Sequence, residues 1–256
     1  MSYFSAVIQG GDLTTALRDR LAQILDLETT ETSAIPLGLC FRCRGLGFRS
    51  AIALKYAART GQDPHSVAQG YLERLIEVSR QQLLPNPNNG LSLTWKAIAT
   101  ERGWLEFWLI PSDIGRWLDQ LLIVESPTIP SLDTNLLFAC HYLQARCQDL
   151  STLARDYADC SPQWHFDRTP FSVWEQALLE AIAHCALASL NDHPQPHLII
   201  ALEKSLGEFL RHCTLFYFLR SEPERGAHYW QWLTYLRQFL QQYLPASQDF
   251  FIIPNL

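Results

Sequence analysis

The apolar periodicity of the chain changes across one short stretch, ESPTIPSLD at 125–133, and no other feature constrains the fold as strongly. Before it, short runs that alternate with a period of two are interspersed with helical patterns. After it, every apolar pattern is long and repeats with the helical period of about 3.6. A stretch with two prolines and little apolar pattern neither continues a helix nor enters a sheet core, so it reads as a linker. The predicted fold class is an α+β N-terminal domain at 1–124, a linker at 125–133, and an all-α helical bundle at 134–256. A chain of 256 residues with 48% hydrophobic content can bury two such cores.

Within the first region, DLTTALRDRLAQILDL at 12–27 opens on an aspartate in N-cap position. It places Leu13, Leu17, Leu21, Ile24 and Leu25 on one face, which predicts an amphipathic helix. IPLGLCFRCR at 35–44 reads as a short strand, with Leu37, Leu39, Phe41 and Cys43 on one side and Arg42 and Arg44 on the other. Gly45 and Gly47 read as a break. Ser50 to Arg59 then reads as a helix closed by Gly61, and Asp63 with Pro64 opens another that runs to about Gln82. Turn chemistry in PNPNNG at 85–90 leads into two alternating strands joined near Glu101 to Gly103, after which Pro111 and Ser112 start a helix. Beyond the linker, helices are predicted at 134–158, 171–190, 196–220 and 225–244, with the apolar tail FFIIPNL docked on the bundle.

Charge narrows the function classes. A net charge of -6 works against general affinity for a phosphate backbone, so any polyanion must be held locally. Ser33 to Gln62 is such a locality, since it contains Arg42, Arg44, Arg49, Lys55 and Arg59 and no Asp or Glu. A charge run is usually a solvated face, but its freedom from acids in an acidic chain favours a polyanionic partner. No apolar run is long enough to span a bilayer and the N-terminus lacks a secretory pattern, so the expected location is cytoplasmic, without a membrane partner.

The remaining chemistry points to no catalytic residue, metal or cofactor. The 7 cysteines are scattered and odd in number, as suits reduced thiols, and Cys40 with Cys43 would supply only half of a zinc site. His193 and His197 sit across two prolines where one helix face cannot hold both. GLGF at 45–48 lacks the spacing and lysine of a phosphate loop and reads as a turn. Tyr229, Trp230, Trp232 and Tyr235 read as core packing rather than a base-stacking surface.

Four stretches carry a family resemblance. LGFRSAIALKYAARTGQDPHSVAQGYLERL at 46–75 resembles the helix pair of the N-terminal additional domain of arginyl-tRNA synthetases, with Ser50 where that family usually has Asn. ERGWLEFWLIPSDIGRWLDQLL at 101–122 is similar to the strand and helix that end the additional domain. Gly103, Phe107 and Leu109 keep its pattern, while Trp104 and Glu106 depart from it. HYLQARCQDL at 141–150 is similar to the start of the family's DALR-type anticodon-binding domain, with Tyr142, Ala145 and Arg146 in place and Gln144 where a His is usual. The segment at 174–210 resembles a later part of that domain, with Pro196 and His197 in register.

The four stretches follow the family's order with one internal deletion, where the nucleotide-binding catalytic domain would lie. The resemblance implies a non-catalytic, tRNA-binding protein, its first domain facing the outer corner of tRNA and its bundle facing the anticodon. Class I aminoacylation needs an ATP-holding dinucleotide fold, a His-x-Gly-His-like turn and a lysine loop, and the sequence has none of these. Tyr142 and Arg146, four apart on one helix, could stack on and hydrogen-bond an unpaired base. An Arg146 paired with Asp149 beside a half-buried Tyr142 is the competing expectation. Two other functions stay open. One is a protein-interaction scaffold that has lost RNA, which the low charge density and the 8 Trp, 9 Tyr and 13 Phe would suit. The other is the tRNA-binding half of a split synthetase.

Overall fold

The computed structural model describes residues 2–8, 12–25, 35–42, 45–81, 91–123, 134–158, 160–167, 171–189 and 196–243. Two compact units divide the chain: one takes 1–121 with 166–180, the other 122–165 with 181–256. The fold is mixed α+β with a helical C-terminal part. The linker at 125–133, the turn at 85–90 and the tail at 250–256 lie outside the described residues.

The first unit is built on one five-stranded antiparallel sheet. Its strands are β1 (Ser2–Ile8), β2 (Leu37–Arg42), β3 (Gly45–Ser50), β4 (Leu91–Ala99) and β5 (Leu105–Leu109), in the order β1-β4-β5-β3-β2. Alternation assigns the two faces. Phe4 stands opposite Trp95, Trp95 opposite Leu109, Ala97 opposite Phe107 and Phe107 opposite Phe48, and all of these are buried. Phe4 meets Phe107 edge-on at 5.9 Å and Phe48 meets Trp95 at 6.0 Å, the geometry favoured by aromatic quadrupoles. Burying each such side chain contributes about 1.5–3 kcal/mol.

Helices α1 (Leu13–Ile24) and α3 (Pro64–Gln81) pack against β1 and each other, while α2 (Ile52–Thr60) packs on α3. Their ends follow from the sequence. The Asp12 carboxylate accepts from Thr14 N at 2.9 Å and Thr15 N at 3.0 Å, satisfying two of the orphan donors at the start of α1. Gly61 ends α2 at φ 69°, left-handed backbone that lacks a steric penalty only for glycine. Asp63 accepts from Ser66 N at 2.8 Å where α3 begins. After β5, α4 (Pro111–Leu121) buries Ile114, Trp117, Leu118 and Leu121, and its Asp113 carboxylate accepts from Thr94 N on β4 at 2.7 Å.

The other elements are α5 (Thr134–Tyr157), α6 (Val173–Ser189), α7 (Pro196–His212), α8 (Leu215–Ser221) and α9 (Pro223–Tyr243). In the second unit α9 packs on α5 and α8, and α7 on α5. Trp164 meets Trp232 edge-on at 5.0 Å and Tyr235 at 5.9 Å. Tyr229, Trp230, Trp232 and Tyr235 are all buried, so the aromatic stripe of α9 is core.

The structure departs from the sequence reading at four places. β1 was not expected; its pairing with β4 along the whole of SYFSAVI places it in the sheet. Gly45 and Gly47 do not break the chain but belong to β3. The Trp108 ring lies where a side chain at Gly47 would be, 2.5 Å from the position of a Cβ, so glycine is what this strand position accepts. Residues 196–220 form two helices that part at Cys213 and Thr214, where no Gly or Pro signals a stop. Residues 166–180, placed by sequence within the bundle at 134–256, group with 1–121 instead. There a capping box starts α6, with Ser172 N donating to Glu175 Oε2 at 2.8 Å and Glu175 N to Ser172 Oγ at 3.1 Å, and Gln176 Nε2 donates to Gly45 O at 3.4 Å.

Candidate nucleic-acid interface

The five basic residues expected to form one patch have different fates. Arg42 ends β2, opposite Gly45, and its side chain lies outside the described residues, as does all of Arg44. Arg49 is placed by register directly opposite Glu106. Its Nε donates to Glu106 Oε1 at 3.1 Å, its second nitrogen pairs with the same oxygen, and its Cζ lies 5.0 Å from the centre of the Trp104 ring. With Glu106 only 5% exposed, this pair is part of the sheet, and Arg49 is not a cation waiting for a phosphate. Lys55 and Arg59 stand one turn apart on α2, both exposed, and neither makes an ion pair among the described residues.

The sheet face opposite the core carries a row that crosses all five strands, Tyr3, Lys96, Trp108, Gly47 and Cys40. Tyr3 is exposed and Lys96 and Trp108 are half-buried. Sequence reading missed this row, because alternation predicts two faces for each strand but not which strands neighbour one another.

In the second unit, Tyr142 and Arg146 lie one turn apart on the exposed face of α5. Tyr142 is 59% exposed, and among the described residues Arg146 makes no ion pair, with Asp149 or any other acid. The expected alternative, a tyrosine half-buried beside a neutralised arginine, is not what the helix presents. Leu153 continues the same face 7 residues beyond Arg146. It meets α8 at a cavity of about 590 Å³ that Phe216, Tyr217, Arg220 and Ser221 also line.

Reactive groups elsewhere are sparse. Burial pushes the Cys147 and Cys185 thiols up to about 12 and that of Cys140 to about 11, so these side chains behave as small apolar core groups. Among the described residues no group of three or more His, Cys, Asp or Glu is placed to hold a metal ion, and no described helix is long and apolar enough to cross a membrane. Compared with known proteins, the chain matches no protein-family model, no curated protein and no solved structure.

Proposed function

We propose that this chain is a non-catalytic relative of arginyl-tRNA synthetase that binds tRNA in the cytoplasm. Its first unit would correspond to the additional domain and its helical part to the DALR-type anticodon-binding domain. The observation that carries this reading is the pair Tyr142 and Arg146, one turn apart on α5: a ring in water and an exposed guanidinium that makes no ion pair among the described residues. An exposed tyrosine adds little to a core, whereas an unpaired base stacked on it gains about 1–3 kcal/mol. The guanidinium beside it suits a base edge or a phosphate. Lys55 and Arg59 on α2 supply a second, sequence-independent contact with the phosphate backbone.

One observation favours the scaffold alternative. Because Arg49 is held by Glu106, the basic cluster has one fewer cation to offer RNA than its sequence suggests. Crosslinking RNA to the purified protein and sequencing it separates the two. Enrichment of a defined set of tRNAs supports tRNA binding, and a crosslinked pool identical to the input puts the scaffold first. Catalysis is tested independently: arginine-dependent exchange of pyrophosphate into ATP is expected at the no-protein background. Exchange restored only by adding a separate catalytic chain would identify half of a split synthetase.

A further inference from the structure

The exposed face of α5 runs from Tyr142 through Arg146 to Leu153, steps of 4 and 7 residues that keep side chains on one side of a helix. At Leu153, 47% exposed, it reaches the cavity beside α8. Tyr217 and Arg220, three residues apart, share a face of α8, and Tyr217 is 63% exposed although its ring is braced edge-on against Phe218 at 5.2 Å. The Ser221 hydroxyl donates to Tyr217 O at 2.9 Å, which leaves its lone pairs uncommitted to that bond. Among the described lining residues Arg220 is the charged one, and the volume falls within the roughly 300–1,000 Å³ of small-molecule sites.

We propose that this cavity takes one unpaired nucleotide of a bound RNA, its base stacked on Tyr217 against Leu153 and Phe216 and its phosphate on Arg220. An apolar wall, a braced ring in water and one adjacent cation match the two halves of a nucleotide, a π-face and an anion. Continuity with Tyr142 and Arg146 makes the ligand a strand rather than a lone mononucleotide. Asp149 stands on the same α5 face between Arg146 and Leu153, so the strand's phosphates are held at the two arginines rather than along the helix. The inference rests on the RNA-binding reading above and assigns it a second contact point.

The test is fluorescence anisotropy of a short fluorescein-labelled oligoadenylate, and separately of tRNA, with the full-length chain. Tyr217→Ala and Arg220→Gln should each weaken oligoadenylate binding about ten-fold, while Tyr217→Phe, which keeps the ring, should bind like the wild type. Circular dichroism confirms equal folding of these surface variants. If the wild type binds both RNAs and the two variants bind equally well, the cavity assignment is overturned while the α5 reading stands. Displacement of the oligonucleotide by AMP at similar concentration would overturn the strand assignment in favour of a free nucleotide. If the wild type binds neither RNA, the tRNA reading fails and the cavity assignment fails with it.

Discussion

Arg49 on β3 and Glu106 on β5 face each other across the sheet, and the guanidinium closes an ion pair with a carboxylate that is almost wholly buried. Removing the carboxylate leaves a partly desolvated cation without its partner. Glu106→Gln should therefore lower stability by about 1–3 kcal/mol, below the range for fully buried pairs because the Arg49 side chain is 28% exposed. Arg49→Glu, which sets two carboxylates opposite each other, should cost more. Urea unfolding midpoints at neutral pH measure both. Equal midpoints for wild type and Glu106→Gln would show that solvent screens the pair. It follows that a charge reversal at Arg49 is a stability variant, and a test of RNA binding belongs at Lys55 and Arg59.

Gly47→Ala should destabilise the first unit by about 1–3 kcal/mol, as overpacking does. Its Cβ would come 2.5 Å from Trp108 Cε3 and 2.8 Å from Phe107 O, and the second contact is backbone that cannot swing aside. Gly103→Ala should be at least as costly, because that residue combines φ 79° with a Cβ position 2.5 Å from Pro64 Cβ. Adding Trp108→Leu to Gly47→Ala should recover part of the loss. A double variant no more stable than Gly47→Ala would place the whole conflict at the Phe107 carbonyl.

Cys140, Cys147 and Cys185 should resist alkylation in the native protein and react once it is unfolded, while Cys40, Cys160 and Cys213, all half-buried, react sooner. Mass spectrometry of pulse-labelled protein reads this residue by residue. The same burial gives a pH dependence. The folded thiols hold their protons up to about 11 or 12 and the unfolded ones release theirs near 9. The unfolded state therefore binds fewer protons in that window, and stability falls as pH rises from about 9 towards 12, by up to about 1.4 kcal/mol per pH unit for each thiol. Below about pH 8 these groups should contribute no slope. Replacing Cys147 by Ala should remove its share of the alkaline slope; an unchanged slope would mean that other groups cause it.

Local signals in the sequence were legible wherever one residue does a local job. The Asp12 cap, the Gly61 stop, the Asp63 and Pro64 start and the buried stripe of α9 all follow from short-range chemistry, and the structure has each of them. Long-range pairing was not legible. Gly47 looks like a turn residue until Trp108 is known to lie over it, and Arg49 looks like a free cation until β3 is known to lie beside β5. For the candidate site the same limit applies. Tyr142 and Arg146 were legible through the resemblance of HYLQARCQDL to an anticodon-binding domain together with their i, i+4 spacing, whereas Tyr217 and Arg220 join that face only through the packing of α8 on α5.

The most direct measurement of RNA recognition is the affinity of tRNA for the folded protein across a salt series, compared among wild type, Lys55→Glu/Arg59→Glu and Tyr142→Ala/Arg146→Gln. Loss of two phosphate contacts should reduce the salt slope by about two and weaken tRNA and random RNA alike. Loss of the α5 pair should weaken a preferred tRNA by about ten- to a hundred-fold while changing random RNA much less, since stacking and base-edge contacts carry the preference. Identical affinities and salt slopes for all three proteins, at equal folded content, would contradict tRNA recognition by these helices.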